Sequence, residues 1–445
     1  MLEKLATKSS IDLNFTGENT TALTHNFHSY PAKFIPQLAK WMIRRYSEKN
    51  DSIFDPMMGC GTALVEARLN KRHGFGLEID PLAHLIAKVK TTPIERERLD
   101  REIRVGKDSL LVKLHADFRK IAEKRSNIIL PTLFSESTHD NSLFDIKIPD
   151  FYRSDELFQA TVLEELATIK ARIDEISDLQ VREFCSVAFS AIIKNVSNCD
   201  PRDIEPKLPP PDRKRLDKPD TLNVYETKLK SMRRRMQAFV NLCRNLGCAD
   251  KSWQPKLFLG DARKPPPDIT DIDLIVTSPP YANSVDYPRV HKLSFYWLGF
   301  ATSENLPNLA RKYIGTDLVT KSMYPKVHHF GISDLDIPLN AIAEIDDKRA
   351  RVISAYFENM KLCLERYNET LQEDGTCCIV IGSSRIKKVL VPTDVILRKL
   401  GTQMGFTFVE SFERTIDPRR KQTANAPNEF GGGAINTECI LVFRK

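Results

Sequence analysis

Along most of the chain, short apolar runs alternate with longer stretches of helical periodicity, and this alternation predicts an α/β fold. Apolar runs at 53–55, 74–79, 256–259, 274–277, 376–382, 406–412 and 438–443 read as about seven strands. Between them, 36–46, 95–125, 162–195, 221–246, 290–298, 346–371 and 392–404 read as helices. The last strand is expected to close the sheet antiparallel, as in a hairpin. Residues 1–24 look loosely packed, 201–219 read as a Pro- and charge-rich loop, and 300–345 read as irregular, either a partner-facing loop or a surface excursion. The fold class is α/β: a seven-stranded, mostly parallel sheet with a helical insertion between its second and third strands. The expected division is a first part of the core over 1–94, the insertion over 95–250 and the rest of the core over 251–445.

The chain is organised around Leu274-Ile275-Val276-Thr277-Ser278-Pro279-Pro280-Tyr281. The apolar run reads as a buried parallel strand. The two prolines stop it, because they cannot donate to a sheet ladder and they hold the backbone extended. The result is a stiff corner at the C-terminal edge of the sheet, where open α/β folds bind ligands. The Ser278 hydroxyl and the Pro279 carbonyl are two acceptors suited to an exocyclic amine. Taking its two N–H groups holds the nitrogen closer to tetrahedral and stabilises developing positive charge. Tyr281 offers a ring on which a base could stack. Residues 282–287 continue the cleft wall. A Pro-Pro turn closing a core strand remains the plain alternative.

A second feature lies upstream. Asp55-Pro56-Met57-Met58-Gly59-Cys60-Gly61-Thr62 joins a strand to a helix through a glycine-rich turn, so backbone and free N–H groups can approach a ligand closely. Gly76-Leu77-Glu78-Ile79-Asp80 is a second strand ending in acids, some twenty residues on, where ribose hydroxyls are held in such folds. Between the N-terminus and this turn, residues 25–36 are dense in aromatics. They read either as a hydrophobic staple ahead of a helix or as a lid, with Lys33 near a carboxylate.

Composition narrows the picture. The 445 residues carry a net charge of +7, compatible with nucleic acid and no proof of it. No apolar run reaches membrane-spanning length, and the N-terminus shows no signal pattern. Nine cysteines without a CxxC pair predict reduced thiols and a cytoplasmic setting. His25 and His28 have ligand spacing but no third partner, so no metal is expected. A nuclease built from Asp150 and Glu205-Pro206-Lys207 lacks the flanking strand it would need.

The three motifs in one chain, Asp55-Pro56-x-x-Gly59-x-Gly61-Thr62, Glu78-Ile79-Asp80-Pro81 and Thr277-Ser278-Pro279-Pro280-Tyr281, resemble the S-adenosylmethionine-dependent DNA amino-methyltransferases of restriction-modification type. The segment His28-x-Tyr30-Pro31-Ala32-Lys33-Phe34 is similar to the one that family places before its glycine loop. The resemblance covers 25–90 and 255–445. It implies a class I, Rossmann-like methyltransferase fold and S-adenosyl-L-methionine as cofactor. The implied cofactor residues are Tyr30, Lys33, Phe34, Asp55, Met57, Gly59, Gly61, Thr62, Glu78, Ile79, Asp261, Ala262 and Thr277. Asp261, at the end of its strand, matches the position that accepts the adenine amino group. Met57 departs from the family, which has Phe there.

The form Ser-Pro-Pro-Tyr resembles the N4-cytosine branch, since the N6-adenine branch has Asp where Ser278 stands. The resemblance therefore implies methyl transfer to the amine of a flipped-out cytosine by Ser278, Pro279, Pro280 and Tyr281. It also implies double-stranded DNA as partner, with a cognate restriction endonuclease acting separately. A carbon-5 enzyme would need a Pro-Cys pair, and the chain has none. N6-adenine methylation, RNA methylation and a catalytically silent nucleic-acid-binding protein are the rivals. Candidate DNA contacts are Arg233, Arg234 and Arg235 on the basic helix 221–246, and Arg419, Arg420 and Lys421 in a C-terminal loop.

Overall fold

The computed structural model describes residues 13–31, 34–128, 147–200, 202–210, 219–282, 286–416 and 437–445. Among the described residues nine strands form in chain order: β1 (Ser52–Asp55), β2 (His73–Glu78), β3 (Lys256–Leu259), β4 (Ile272–Thr277), β5 (Leu371–Ile381), β6 (Ser384–Ile386), β7 (Val389–Val391), β8 (Thr407–Thr415) and β9 (Thr437–Arg444). Seven make one sheet in the order β3-β2-β1-β4-β5-β9-β8, and β6 and β7 pair as a small separate hairpin. The pairs from β3 through to β5 are parallel. Strand β9 runs antiparallel to both β5 and β8. The expected seven-stranded, mostly parallel sheet with an antiparallel last strand is what forms.

Alternation along the central strands sorts side chains onto two covered faces. Ile53, Leu274, Val276, Cys378 and Val380 pack under the helix Pro36–Tyr46 and beside Ala63 and Ala67 of the helix Thr62–Leu69. Phe54, Ile275, Cys377 and Ile379 face the other way, against the helices Ser333–Ile345, Asp347–Thr370 and Thr393–Gln403. Burial on both faces is why these strands read as unbroken apolar runs.

The register Ile53↔Leu274 and Phe54↔Ile275 sets β1 beside β4. The order runs outward one way from β1 through β2 to β3 and the other way from β4 to β5. The switch point therefore falls between β1 and β4, and a crevice opens at their C-terminal ends. Asp55 and Thr277 end those two strands, so the glycine turn and the Ser-Pro-Pro-Tyr corner leave the sheet side by side.

Between β2 and β3 the chain makes the helices Pro81–Thr91, Arg96–Ile103, Leu110–Ile128, Ala160–Asp174, Leu179–Val196 and Thr221–Leu246, with a short turn at Ser154–Leu157. Their apolar faces form one cluster with Phe27, Val65, Leu82, Phe295 and Trp297, so the excursion shares a core with helices that flank the sheet.

Two helices predicted as continuous are each broken. Gly106, at φ +99°, separates the first pair. Asp178 caps a new helix by accepting from the amides of Gln180 and Val181. The region 300–345, expected to be irregular, contains the helix Ser333–Ile345. Pro338 masks its stripe of Leu335, Leu339 and Ile342, which are all buried. No described helix is long and apolar enough to cross a membrane. All nine cysteines are free thiols.

Candidate active site

The glycine turn and the second acid strand are locked together through backbone donors. Glu78 accepts the amide of Gly59 on one carboxylate oxygen at 2.7 Å and that of Asp80 on the other at 2.9 Å. Asp80 in turn caps the helix Pro81–Thr91, taking the amides of Leu82 and Ala83 at 2.8 and 2.9 Å. The Tyr30 hydroxyl reaches Asp80 at 3.4 Å. Gly59 and Gly61 both have positive φ, +50° and +77°. A Cβ at Gly61 would sit 2.7 Å from that of Ala87, whereas one at Gly59 would meet nothing within 4 Å. Gly61 therefore permits helix packing, and Gly59 leaves space open.

That space belongs to a cleft of about 870 Å³, counted with its open mouth, along the C-terminal edge of the sheet. Of the residues expected to hold a cofactor, Tyr30, Phe34, Asp55, Met57 and Gly59 line it. So do Thr62, Glu78, Ile79, Asp261 and Ala262. Ser278 and Pro280 complete the wall on the corner side, joining the corner to the same cavity. Gly61 and Thr277 stand behind the wall rather than in it; Thr277 is fully buried. Lys33 lies outside the described residues.

Asp261 differs from expectation in one respect. Its carboxylate is gripped by its own neighbour Arg263, whose Nε and terminal nitrogen lie 2.6–3.0 Å away. The aspartate that was to accept an amino group is thus already half of an ion pair. Arg263 is held in place by Asn359 and by the carbonyl of Lys312.

Four further side chains line this cleft, and three of them, Lys312, Tyr313 and Ile314, had no signal in the sequence. Tyr313 and Ile314, with Lys312, come from the region read as irregular and close one side of the cavity. Tyr287, in the stretch read as cleft wall, stacks on Tyr30 at 5.7 Å between ring centroids, and the buried His291 stacks on the same ring at 4.7 Å. Burial and the charge of Lys194 push His291 down to about 3, so it stays neutral. His25 and His28 bond to Glu66 and Ser190.

The electrostatics of the cleft are lopsided. Asp55, Glu78 and Asp80 are all buried. Burial pushes Asp55 up to about 7, against the opposing Thr277 hydroxyl and Met57 amide. Burial, then the charge of Asp80, pushes Glu78 up to about 8. Burial raises Asp80 to about 6, with its capping amides opposing. Among the described residues their partners are amides and hydroxyls, with no ion pair. Such a set attracts a cation. A molecule with a positively charged sulfur, an ammonium group and an adenosine therefore suits this cavity.

At the corner, Tyr281 does not line the cleft; its hydroxyl donates to Glu438 of β9 at 2.6 Å. Of the basic residues expected at DNA, Arg233 is turned inward to pair with Asp100, and Arg235 donates to the carbonyl of Thr21. Arg234 is exposed. Arg419, Arg420 and Lys421 lie outside the described residues.

Comparison with known proteins agrees with this geometry. The DNA methylase family pattern matches residues 8–89, which hold the aromatic segment, the glycine turn and the acid strand. The type II methyltransferase M.MvaI of Kocuria varians is 27% identical over 100% of this chain and 96% of its own. M.BsoBI of Geobacillus stearothermophilus is 21% identical over 96% of this chain and 86% of its own. M.MjaII of Methanocaldococcus jannaschii is 36% identical over a shorter stretch, 22% of this chain and 19% of its own. With the switch-point crevice and the acid-lined cavity in place, similarity to the DNA methylases over residues 8–89 and to type II methyltransferases over nearly the whole chain supports an S-adenosylmethionine-dependent DNA amino-methyltransferase.

Proposed function

We propose that the protein methylates the N4 amine of cytosine in double-stranded DNA, as the modifying member of a type II restriction-modification pair. A cognate endonuclease would act separately. The observation that carries this reading is that Ser278 and Pro280 share one cavity wall with Gly59 and Glu78. An amine acceptor and a cofactor site meet there without a barrier.

S-adenosylmethionine supplies an electrophilic methyl group when bound. The chain's own part is positioning. Gly59 and Glu78 hold the amino acid and ribose, and Asp261 and Ala262 border the adenine. Asp55, Glu78 and Asp80 supply negative charge near the sulfonium. The Ser278 hydroxyl and the Pro279 carbonyl take the two amine N–H groups of a flipped base, leaving the nitrogen lone pair aimed at the cleft. Tyr281 stacks on the base. Orientation and charge stabilisation account for the rate, with no covalent enzyme intermediate. Ser278 supports cytosine by resemblance alone, since the adenine branch has Asp there and both residues can accept from an amine. The insertion of 95–250 supplies target recognition, with Arg234 among its phosphate contacts.

The test is transfer of radiolabelled methyl from S-adenosylmethionine to unmethylated bacterial DNA, followed by chromatography of the nucleosides. Label in N4-methylcytosine that is lost in Ser278→Ala is expected. Label in N6-methyladenine overturns the base assignment and keeps the mechanism. Label found only with RNA overturns the substrate.

A further inference from the structure

The ring of Tyr281 is fixed at both ends. Two prolines precede it and restrict the backbone. At the far end its hydroxyl donates to one carboxylate oxygen of Glu438 at 2.6 Å. The other oxygen of Glu438 accepts from Arg414 at 2.8 Å. Arg414 and Glu438 face each other across the β8–β9 pair, and Arg414 is only 7% exposed. The order β4-β5-β9-β8 means that a ring leaving β4 is tied across one intervening strand to the antiparallel edge of the sheet.

The arrangement is chemically one-directional. Glu438 lies between a guanidinium on one oxygen and a phenol on the other, so both of its oxygens act as acceptors. Burial, then the charge of Glu438, pushes the Tyr281 phenol well above its ordinary value, so it remains a donor. An aromatic ring on a corner would otherwise turn about two side-chain torsions. A hydroxyl anchored at 2.6 Å removes that freedom and fixes the plane of the ring.

We propose that Glu438 and Arg414 are positioning residues for methyl transfer: they set the plane of the Tyr281 ring on which the target base stacks. The proposal rests on the stacking role given to Tyr281 above. It assigns to the antiparallel edge a part in catalysis that the Ser-Pro-Pro-Tyr motif does not contain. It also places the arginine and the glutamate where each is needed. Without Arg414, Glu438 would be a half-buried acid without its guanidinium; without Glu438, the ring would lose its anchor.

The experiment compares Tyr281→Phe, Glu438→Ala, Glu438→Gln, the double variant Tyr281→Phe/Glu438→Ala, and Tyr281→Ala in the full chain. Methyl incorporation into unmethylated bacterial DNA gives kcat, and KM for S-adenosylmethionine is measured alongside. Tyr281→Phe keeps the ring and leaves the Glu438–Arg414 pair intact, so folding is not at stake. It is expected to lower kcat about tenfold or more with that KM unchanged, as a small misplacement of reacting groups does. Glu438→Ala should do the same, and the double variant should be no slower than the slower single one. Glu438→Gln, whose oxygen can still accept from Arg414 while its NH2 group donates to the Tyr281 hydroxyl oxygen, should recover most of the rate. Wild-type kcat in Tyr281→Phe with an inactive Tyr281→Ala overturns the tether and leaves the stacking role standing. Wild-type kcat in Tyr281→Ala overturns the stacking role itself. Losses that multiply in the double variant also overturn the tether, since one hydrogen bond cannot be lost twice.

Discussion

Glu78 and Gly59 are joined by a hydrogen bond of 2.7 Å between carboxylate and amide, so the acid of the second strand and the glycine of the first turn hold each other in place. The other oxygen of Glu78 takes the amide of Asp80. Two backbone donors thus depend on one side chain.

Glutamine at position 78 has one acceptor where glutamate has two. Its NH2 group must face either the Gly59 or the Asp80 amide, leaving a buried donor unpaired. Glu78→Gln is expected to weaken S-adenosylmethionine binding at least tenfold, about 1.4 kcal/mol, and to lower the melting temperature modestly. Calorimetric titration and thermal denaturation measure the two. Unchanged affinity would remove Glu78 from the cofactor site.

The three buried carboxyls predict a pH dependence with a definite sign. Asp55, Glu78 and Asp80 titrate near 7, 8 and 6 in the fold, above the roughly 4 of an unfolded chain. Raised acid values mean that the folded protein keeps protons which the unfolded chain has released. Stability of the free protein therefore falls as pH rises from about 4 to 8. Binding follows the opposite course where the ligand is positive. S-adenosylmethionine and S-adenosylhomocysteine differ in the charge on sulfur, so the ratio of their affinities isolates that charge. Between pH 5.5 and 8.5 the preference for S-adenosylmethionine should grow severalfold. A flat ratio would mean that the carboxylates do not face the sulfur.

Gly59 and Gly61 should fail in different ways. Alanine at 61 would meet Ala87 at 2.7 Å and adopt φ +77°, a strained backbone that costs about 1–2 kcal/mol before the clash is counted. Gly61→Ala is expected to lower the denaturation midpoint clearly. Alanine at 59 has no neighbour within 4 Å and points into open cleft. Gly59→Ala carries a similar backbone strain at φ +50° but no clash, so it should cost less stability than Gly61→Ala and weaken cofactor binding more. Reversal of that order in paired denaturation and binding measurements would contradict the placement of the two glycines.

Arg68 is 1% exposed and ties the helix after the glycine turn to the entry of β3. Its guanidinium donates to the carbonyls of Thr91, Cys248, Ala249 and Asp250 and to the side chain of Gln254. Arg68→Met would strand those acceptors without filling their needs. A loss of about 3 kcal/mol or more in urea unfolding is expected from several buried groups left unsatisfied at once. A loss under about 1 kcal/mol would mean that water or a shifted neighbour replaces the guanidinium.

What the sequence reveals of this site is what lies within a few residues along the chain. Gly59, Glu78 and Ser278 sit where a strand stops, and the stop itself is visible as glycine, acid or proline. The apolar runs give the sheet because both faces are buried. Tyr313 and Glu438 were invisible for the converse reason. Each reaches the site from a distant element, and nothing near it in sequence marks the contact. Arg233 shows a related failure: a row of basic residues on a helix reads the same whether it faces solvent or, as here, an aspartate on a neighbouring helix. Pro338 hid a helix by standing inside it, and Arg68 is one arginine among many until its five acceptors are seen around it.

The pairing of β2 with β3 joins residues about 180 positions apart, Phe75 with Lys256 and Glu78 with Leu259. During synthesis, the glycine turn and the acid strand leave the ribosome long before Asp261 and Ser278 exist. The entropy of closing so long a loop grows only slowly with its length, by about 0.6 kcal/mol per doubling. The delay therefore burdens the folding rate more than the final stability. Until the second half arrives, β1 lacks its β4 neighbour, and Ile53 and Phe54 have a strand, β2, on one side only. The early half of the chain is thus the stretch most exposed to misassociation in the cell, and the helices between β2 and β3, which cover Val65 and Leu82, are the part of the molecule synthesised in time to shield it.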